Sequence, residues 1–351
     1  MPRTIQEETI HLILDKETKI SKKLPVFYNP VMKLNRDISV LLLSALNKES
    51  MNILLPLAAS GIRGMRFLKE LPPKSIKQIH FNDYIESYKQ KLKKQLKKNN
   101  LEKNKKITIS NKDANLFLLE NRGADYIDID PFGPPIAFLD TAIKALSRDG
   151  ILAVTATDTG ALAGTFPTTC KRKYWATPLR NELMHEIGLR ILIRRVQLIG
   201  TAYDKALLPI LSYAKDHYTR VFFLCKKGKQ QCDTLISNHT TFQNAGPLWT
   251  GNLSDQKLLK KMCKIAKQNK EFLSLLLAES QINTIGFYDT HKIVKKEKLK
   301  DIPRTEEIFK ALTQKKFKAS RTHFSQYGIK TTASEKEFIS LLKNLLKKKK
   351  I

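Results

Sequence analysis

The sequence predicts an α/β fold in which a parallel, Rossmann-like sheet forms the main domain and a smaller α+β domain follows it. Three observations lead to this prediction. Short apolar runs alternate with helix-like stretches from about residue 52 onward, the turn after the first run consists of small residues, and 351 residues exceed what one hydrophobic core usually organises. We therefore expect two domains, residues 1–228 and residues 229–351.

Apolar runs in the first domain have the length and composition of buried strands. They occupy residues 53–57, 78–82, 107–111, 126–130 and 151–155. Residues 178–195 are expected to form a helical crossover, and the runs at 196–202 and 218–225 are expected to be the last strands of the same sheet. The second domain lacks a glycine-rich strand-to-helix turn, and we expect helices near 257–278 and 305–315.

The charge balance is strongly basic. The chain contains 63 Lys and Arg residues against 33 Asp and Glu residues, which gives a formal net charge of +30. A charge of this sign and size favours a polyphosphate, so a nucleic acid is the first partner to consider. The alternative is that a lysine-rich proteome spreads such charges over the surface without forming a binding face.

The cysteines and the hydropathy pattern indicate a soluble protein of a reducing compartment. The cysteines are few and widely spaced, and no CxxC pair indicates a zinc ribbon. They are Cys170, Cys225, Cys232 and Cys263. No segment approaches the ~20 apolar residues of a membrane span, and the first residues show no targeting pattern. We expect a cytoplasmic monomer without a bound metal ion.

A turn of small residues follows the first predicted strand. Residues 58–65 read AASGIRGM and open a helix, so a ligand can approach the backbone near Ser60 and Gly61 without obstruction by Cβ atoms. The spacing is not GxGxxG, and a tight structural turn explains these residues equally well. About twenty residues later Asp83 follows the second strand, where nucleoside-binding sheets place a carboxylate that accepts hydrogen bonds from ribose hydroxyls.

Asp113 closes the third predicted strand. Proteins with this kind of sheet commonly hold the amine of an adenine at this position. The N-cap of the following helix is an equally good interpretation of the residue. The turn, Asp83 and Asp113 together indicate a nucleoside-binding edge.

The segment DIDPFGPP at residues 128–135 ends the fourth predicted strand, at the edge where open α/β sheets bind ligands. Pro131 contributes a carbonyl but no N–H and stiffens the turn, so this carbonyl and the carboxylate of Asp130 can accept hydrogen bonds from one NH2 group. Phe132 can stack on a planar base. The alternative is an ordinary turn after a buried strand, but the combination of acids, prolines and an aromatic ring favours an active site.

Several segments resemble the archaeal and eukaryotic tRNA (guanine-26-N2) dimethyltransferases, and the resemblance extends from Phe27 to near the end of the chain. They are VFYNPVMKLNRD at 26–37, ASGIRG at 59–64, DIDPFG at 128–133, TATDT at 155–159, RNE at 180–182, HEIGLR at 185–190, GPLW at 246–249 and RTHF at 321–324. The resemblance implies a class I S-adenosylmethionine-dependent methyltransferase fold. It also implies transfer of one or two methyl groups from this cofactor to N2 of guanine 26 in tRNA.

The resemblance further implies roles for individual residues. The cofactor-binding residues would be Arg36, Ser60, Gly61, Arg63, Asp83, Asp113 and Ala114, and the catalytic residues would be Phe27, Asp130, Pro131 and Phe132. Arg36 would pair with the cofactor carboxylate, which suits a planar guanidinium. The guanine would lie between Phe27 and Phe132 beside Asp130. By residue type alone, Phe27 is more typical of a core and Arg36 of a surface.

The second domain is expected to bind the tRNA. The site motifs lie before residue 229, whereas the excess of positive charge continues to the last residues. Cations that contact phosphates hold a nucleic acid in place and make its affinity fall with salt. The residues expected to do so here are Lys318, Arg321, His323 and Lys330.

Two patterns that could indicate a metal site are incomplete. Some members of the family carry a cysteine-rich zinc element, whereas the corresponding stretch here contains only Cys225 and Cys232. His185 and Glu186 lack the second histidine of an HExxH motif. We therefore expect no zinc, and a packing or capping role for the His-Glu pair.

Three other functions are weighed against this interpretation. A nicotinamide-dependent dehydrogenase shares the sheet, the turn and the ribose-binding acid, but it has no use for Asp-Pro-Phe-Gly. A noncatalytic tRNA-binding protein would have no need of Asp130 and the acids on the cofactor side. An amino-methyltransferase that acts on DNA is disfavoured by the resemblance of the second domain.

Overall fold

The computed structural model describes residues 3–14 and 27–348, which fold into two compact units. Among the described residues, unit 1 consists of residues 3–14, 27–158, 195–210 and 220–237, and unit 2 of residues 159–194, 211–219 and 238–348. The sequence predicts a single boundary near residue 228, whereas the two units exchange segments along the chain. The reason is that one long helix and two long strands contribute residues to both units.

The described residues form fourteen β-strands and fourteen α-helices, and a 3-10 turn at Pro30–Met32 precedes the first helix. The strands are β1 (Arg3–Glu7), β2 (Ile10–Leu14), β3 (Met51–Leu55), β4 (Ile76–Asn82), β5 (Ile107–Ser110), β6 (Ala124–Ile129), β7 (Leu146–Ala156), β8 (Lys205–Lys215), β9 (Tyr218–Lys227), β10 (His239–Phe242), β11 (Ala245–Trp249), β12 (Tyr288–Asp289), β13 (Ala319–Thr322) and β14 (Ser325–Thr331). The helices are α1 (Lys33–Leu46), α2 (Ile62–Glu70), α3 (Tyr88–Lys98), α4 (Ala114–Glu120), α5 (Ile136–Ala145), α6 (Thr159–Leu162), α7 (Pro167–Tyr174), α8 (Met184–Thr201), α9 (Lys229–Ile236), α10 (Gln256–Ile265), α11 (Lys270–Ser280), α12 (Thr290–Lys296), α13 (Thr305–Gln314) and α14 (Glu335–Lys348). None of these helices has both the length and the apolar character needed to cross a membrane.

Unit 1 is organised around a seven-stranded sheet with the order β5-β4-β3-β6-β7-β9-β8. The pairs β3–β4, β4–β5, β3–β6 and β6–β7 are parallel. The chain moves outward in one direction from β3 to β5 and in the other direction from β6 to β7, so a topological switch lies between β3 and β6. Open α/β sheets bind ligands outside the carboxyl ends of the strands at such a switch. The loops after β3 and β6 are therefore the first place to look for a site.

Most of the expected strands are present, as β3 to β7 and β9. The prediction of a strand at 196–202 is wrong, because residues 196–201 form the last turns of α8. A short apolar run fits a buried helix as well as a buried strand, so hydrophobic periodicity alone cannot separate the two. The strand in this part of the chain is β8 instead, and the helix expected at 257–278 is divided into α10 and α11.

An N-terminal hairpin, which the sequence analysis does not predict, is held by side-chain amides at the end of α3. The amide of Asn99 accepts a hydrogen bond from the N–H of His11 (2.9 Å) and donates one to its carbonyl (2.7 Å). Gln95 makes the same pair of bonds to Ile13, at 2.9 and 2.7 Å. These amides satisfy backbone groups of strand β2 that its partner β1 does not reach. The hairpin thereby fixes the position of Glu7 at the end of β1.

Unit 2 contains the hairpin β10–β11 and the three-stranded sheet β12-β14-β13. Helices α13 and α14 each turn one apolar face inward, because their apolar residues recur at a spacing of four. The fully buried part of this core includes Ile308, Leu312, Ile329, Phe338 and Leu342. The unit is thus an α+β arrangement with a core of its own.

Candidate active site

The loop after β3 makes a tight turn against the end of β4. The N–H of Ala58 donates to the carbonyl of Asn82, and the N–H of Gly61 donates to the carbonyl of Ala58, both at 2.8 Å. Gly61 has a φ of +76°, and a Cβ atom there would lie 2.4 Å from a methyl carbon of Leu92. Both the backbone and the available space therefore require glycine at this position. The turn brings Ser60, which is buried, and Gly61 to the carboxyl edge of the sheet.

Asn82 ties the ends of three neighbouring strands together, a role that the sequence analysis does not assign. Its amide donates to the carbonyls of Pro56 and Lys112 and accepts from the N–H of Lys112, each at 3.0 Å. Pro56 follows β3 and Lys112 follows β5, so one fully buried side chain sets the spacing of the edge. The only signal in the sequence is an asparagine directly before Asp83.

Asp83 lies at the end of β4 with its carboxylate turned toward the loop. Oδ2 accepts a hydrogen bond from the N–H of Ala59 (2.9 Å) and Oδ1 accepts one from the N–H of Ile85 (3.3 Å). Burial raises the pKa of this carboxyl above its ordinary value, and the backbone N–H groups oppose that effect only in part. A carboxylate has about four acceptor positions, so Asp83 can still accept two hydroxyl donors.

Asp113 caps helix α4, so the N-cap interpretation is confirmed. Its Oδ1 accepts hydrogen bonds from the N–H groups of Asn115 (2.9 Å) and Leu116 (3.1 Å). Its Oδ2 accepts no hydrogen bond from residues 3–14 or 27–348, and the side chain is exposed. The cap and a ligand would use different oxygens, so the two roles are compatible. Ala114 begins the helix and is buried beside this edge.

Four charged side chains meet under the carboxyl end of β6, and we call them the site cluster: Arg63, Asp128, Asp130 and Arg220. Arg220 is fully buried and donates to both oxygens of Asp128, at 3.0 and 2.7 Å. Burial raises the pKa of Asp128, but the charges of Arg220 and Arg63 outweigh burial and bring the pKa below its ordinary value. Asp128 is therefore held as a buried carboxylate.

Arg63 connects the buried end of the site cluster to its exposed end. Its Nη2 lies 2.5 Å from Oδ2 of Asp130, and its Nε lies 3.5 Å from Oδ2 of Asp128. Its Nη1 donates to Asn35 and Ser39, both at 2.8 Å, so the guanidinium is fixed on several sides. The Asp130 side chain is 20% exposed, against 2% for Asp128. Oδ1 of Asp130 accepts no hydrogen bond within the described part of the chain.

The turn after Asp130 is fixed by a residue of the neighbouring strand loop. The N–H of Gly133 donates to Oγ1 of Thr157 (2.7 Å), and the N–H of Thr157 donates to the carbonyl of Gly133 (3.1 Å). Gly133 has a φ of +92°, a conformation that favours glycine. Pro131 is buried within this turn, whereas Phe132 is 44% exposed. The turn therefore presents one aromatic ring on a rigid backbone.

Phe27 and Phe132 lie together, but they contact each other. Their ring centroids are 4.4 Å apart and the ring planes meet at 75°. A base stacked between two rings needs about 7 Å between them, twice the carbon contact distance. The two rings therefore lie together, and a planar base could lie between them only after one ring moves.

Arg36 is buried and already bound by an acid that the sequence analysis missed. Its Nε and Nη2 donate to the two oxygens of Glu7, at 2.7 and 2.5 Å, and Nη2 also donates to the carbonyl of Asn29 (3.1 Å). Glu7 also accepts hydrogen bonds from Arg66 (3.0 Å) and Tyr28 (2.9 Å). Nη1 of Arg36 donates to no described residue, so part of the guanidinium is left for another acceptor. Glu7 was missed because it belongs to the hairpin that was not predicted.

The cysteines do not converge on a metal site in the described residues. Cys225 and Cys232 are both buried, and burial raises the pKa of each thiol. Within residues 3–14 and 27–348, no group of three or more His, Cys, Asp and Glu side chains lies close enough to hold a metal ion.

The expectation that Lys330 contacts phosphates is wrong, because this lysine is buried in an ion cluster of unit 2. Its Nζ lies 3.2 Å from both oxygens of Glu186, and Arg190 donates from Nε to the same carboxylate at 2.9 Å. We call Glu186, Arg190 and Lys330 the sealed cluster. Burial raises the pKa of Glu186, but the two cations outweigh it and lower that pKa to about 2. Glu186 therefore has the packing role expected of the His-Glu pair.

His323 is not a surface contact either. Its side chain is 3% exposed, Nδ1 bonds to Glu279, and Nε2 accepts a hydrogen bond from the N–H of Ala214 at 3.3 Å. Both ring nitrogens are therefore occupied inside unit 2. Lys318 and Arg321, by contrast, are exposed on and beside β13.

Known proteins are similar to this chain along nearly its whole length. The family model described as N2,N2-dimethylguanosine tRNA methyltransferase matches residues 7–244 and 236–343. A tRNA (guanine(26)-N(2))-dimethyltransferase of Pyrococcus horikoshii is 38% identical, over 97% of this chain and 98% of its own length. A tRNA (guanine(26)-N(2)/guanine(27)-N(2))-dimethyltransferase of Aquifex aeolicus is 35% identical, over 97% of this chain and 96% of its own length.

A solved structure is also similar along almost the whole chain. It is the complex of Trm1 from Pyrococcus horikoshii with S-adenosyl-L-methionine, with a TM-score of 0.86 and 37% identity, covering 97% of this chain and 99% of that one. The relatives named here support neither a nicotinamide-dependent dehydrogenase nor a DNA methyltransferase. The chain belongs to the N2,N2-dimethylguanosine tRNA methyltransferase family.

Proposed function

We propose that this protein transfers methyl groups from S-adenosylmethionine to the exocyclic N2 of guanine 26 in tRNA. The observation that carries the proposal is the turn at Asp130, Pro131 and Phe132. It lies at the topological switch of a parallel sheet, and Arg63 and Thr157 fix it from two sides. This turn places a carboxylate oxygen without a described partner next to an exposed aromatic ring.

The carboxyl edge of β3, β4 and β5 fits the cofactor by its donors and acceptors. Asp83 retains acceptor positions for the ribose hydroxyls, and Oδ2 of Asp113 is available for the adenine amine. The turn at Ser60 and Gly61 borders this edge, and glycine at position 61 lets the turn pack against Leu92. Nη1 of Arg36 is the donor available to the cofactor carboxylate. S-Adenosylmethionine supplies an electrophilic methyl group bound to a sulfonium.

Arg63 has a different role in this proposal from the one that the resemblance implies. It bonds Asp130 directly, so it is a positioning residue for the catalytic carboxylate, and its charge does not need to reach the cofactor. Ala114 contributes by its small size at the start of α4. Phe27 and Phe132 stack on the guanine after their mutual contact opens.

The guanine amine needs these acceptors because its lone pair is delocalised into the ring and makes it a poor nucleophile. Oδ1 of Asp130 and the carbonyl of Pro131 accept the two N–H groups, which orients the nitrogen and stabilises positive charge that develops on it. Asp130 or water then removes a proton. Alignment by the fixed turn supplies much of the rate enhancement.

The tRNA must deliver a base that lies at the junction of two stems. Turning a base out of its stack costs a few kcal/mol, and contacts elsewhere must offset that cost. The exposed Lys318 and Arg321 of unit 2 are candidates for phosphate contacts, whereas Lys330 and His323 are not. Charge reversal of both exposed residues is expected to lower the tRNA affinity at low salt and reduce its salt dependence.

We further propose that the protein works as a monomer in the cytoplasm. The cysteines form no disulfide bond within the described residues, as in a reducing compartment. Native mass spectrometry of the purified chain with tRNA is expected to give a one-to-one complex. A two-to-one complex contradicts the monomer.

The decisive experiment is mass spectrometry of nucleosides from an unmodified tRNA transcript after incubation with enzyme and S-adenosylmethionine. The expected products are N2-methylguanosine and N2,N2-dimethylguanosine. A transcript with adenine at position 26 is the control and is expected to give neither. Methylation of another nucleoside, or of this control, contradicts the proposal.

A further inference from the structure

Helix α7 of unit 2 has an exposed aromatic residue at each end and exposed cations between them. Phe166 directly precedes the helix and is 59% exposed, and Trp175 directly follows it and is 58% exposed. Lys171 and Arg172, in the last turn, are also exposed. We call these four residues the α7 surface.

The α7 surface stands on a rigid base. Cys170 and Tyr174, one helical turn apart, are fully buried and anchor the inner side of the helix. The ring of Phe166 packs over Gly160, where a Cβ atom would lie 3.0 Å from a ring carbon, and its N–H donates to the carbonyl of Gly160 at 3.1 Å. Side chains that stand on ordered backbone lose little freedom when they bind a partner.

Trp175 occupies a backbone conformation that does not suit it. Its φ is +54° and its ψ is +43°, and its N–H closes the helix by donating to the carbonyl of Lys171 at 3.1 Å. Helices usually end on glycine or asparagine in this left-handed conformation, and a bulky side chain there is uncommon. The residue is also 58% exposed, and its carbonyl accepts a hydrogen bond from Arg194 at 3.1 Å. Backbone strain of this kind points to a use for the side chain.

The cations have one structural explanation, which does not extend to the tryptophan. Positive side chains in the last turn of a helix stabilise the helix dipole. Neither Lys171 nor Arg172 forms a salt bridge with another described residue, and residues 159–181 contain no Asp or Glu. The exposed charges of Lys171 and Arg172 complement a polyphosphate.

We propose that the α7 surface binds the tRNA substrate, an inference that rests on the proposed function. Trp175 stacks on an unpaired nucleobase, and Lys171 and Arg172 contact the adjoining phosphates. Exposed rings beside cations are the combination by which proteins hold unpaired nucleotides, because every base has a face to stack and every nucleotide a phosphate. Phe166 offers a second ring at the other end of the helix.

The test is Trp175→Gly in the full chain, with tRNA affinity measured by filter binding and methylation measured at saturating tRNA. Loss of one stacking contact is expected to weaken tRNA binding about 5- to 150-fold. We expect KM for tRNA to rise, kcat to stay within a few-fold, and the melting temperature to stay equal or increase, because glycine relieves the backbone strain. A merely structural tryptophan would instead lower the melting temperature and leave KM unchanged in the folded fraction.

Asn47→Gly is the matched control for the backbone change. Asn47 ends α1 with φ of +50° and ψ of +40°, nearly the conformation of Trp175, but it carries no aromatic ring. The tRNA affinity of the Asn47→Gly variant is expected to equal that of the wild type. Trp175→Asn, which also tolerates the left-handed conformation, is the second variant if glycine loosens the helix end.

The double variant Lys171→Gln/Arg172→Gln tests the proposed contacts of these cations with tRNA phosphates. It is expected to reduce the slope of log tRNA affinity against log salt concentration by about 1.5 to 2 units. The control is Lys260→Gln/Lys261→Gln, an exposed pair on α10, whose slope is expected to stay close to that of the wild type. Wild-type affinity and slope in both α7 variants overturn the inference. If tRNA affinity is unchanged but the α7 variants lose a self-association that the wild type shows, the α7 surface contacts a second copy of this chain and the inference is overturned. If the wild type itself neither binds nor methylates tRNA, the proposed function has failed first.

Discussion

The site cluster of unit 1 and the sealed cluster of unit 2 are built from the same kinds of groups but differ in one respect. Each places two cations around one buried carboxylate, Asp128 or Glu186, and each lowers the pKa of that acid despite its burial. In the sealed cluster both oxygens of Glu186 bond to Lys330, and the side chain is 0% exposed. In the site cluster Asp130 is 20% exposed and keeps an oxygen without a described partner.

The difference gives a criterion that separates the proposed active site from a structural ion cluster. Charge, burial and a shifted pKa occur in both clusters, so none of these identifies the active site alone. The site cluster differs because Oδ1 of Asp130 is a hydrogen-bond acceptor without a described partner, on a side chain that is partly exposed. The predictions below test whether that acceptor, and not the ionic network itself, is what the reaction requires.

The largest effect is expected from Glu186→Gln in the sealed cluster. This change leaves Arg190 and Lys330 buried without their carboxylate, which is expected to lower the free energy of unfolding by about 3 to 5 kcal/mol. Denaturant unfolding provides the measurement. Glu182→Gln, which breaks an exposed pair with Lys292, is the control and is expected to cost less than about 1 kcal/mol. Equal costs for the two variants would show that the sealed cluster does not hold unit 2 together.

The same cluster predicts how stability depends on pH. The pKa of Glu186 is about 2 in the folded chain and 4.5 ordinarily, so its contribution is fully present above 4.5 and is lost as the pH falls toward 2. The loss is expected to be on the order of 3 kcal/mol. Unfolding free energies of the wild type and Glu186→Gln should therefore approach each other over this range. A constant difference between them contradicts the assignment.

Asp130→Asn is expected to affect the reaction and not the fold. Asparagine can still accept a hydrogen bond from Arg63, so stability and cofactor affinity should change little, while turnover falls at least ~100-fold. Single-turnover methylation of tRNA measures the effect. Asp125→Asn is the control. Asp125 lies at the start of β6, at the end opposite Asp130, and pairs with Lys48, so the turnover of this variant should match that of the wild type. Turnover of Asp130→Asn within a few-fold of the wild type would remove the role given to this carboxylate.

The smallest effect is expected from Asp83→Ala at the cofactor edge. Loss of hydrogen bonds to the ribose hydroxyls is expected to weaken S-adenosylmethionine binding by about 1.5 to 3 kcal/mol. Calorimetry gives the dissociation constant, and Asp233→Ala, an exposed acid on α9, is the control. Asp83 is a cleaner target than Arg36, whose removal also strips Glu7 of its closest cation. An unchanged dissociation constant would mean that the cofactor lies elsewhere.

Much of the cofactor edge could be predicted because its determinants are local. Alternating apolar runs and helices specify a parallel sheet, and the carboxyl ends of parallel strands meet at one edge. Asp83 and Asp130 directly follow such strands and Asp113 lies three residues after one, so their common location follows from the sequence. The turn at Gly61 is local as well, since its small residues and its φ belong to one short segment.

The pairing of distant residues could not be predicted in this way. Arg220 lies 92 residues from Asp128, and Arg36 lies 29 residues from a glutamate in a hairpin with no clear strand pattern. Which of many arginines meets which carboxylate depends on how the elements pack, and the sequence pattern carries no information on that choice. The contact between Phe27 and Phe132 is of the same kind.

The sequence by itself determined the fold class of this protein, the edge of the sheet at which the candidate site residues lie and the family to which it belongs. Only the tertiary structure decided which charges are available at the surface. Lys318 and Lys330 are the same residue type twelve positions apart, yet one is exposed and the other is 3% exposed against Glu186. The physical reason is that residue type sets what a side chain can bond, whereas burial is set by packing between segments far apart in the chain.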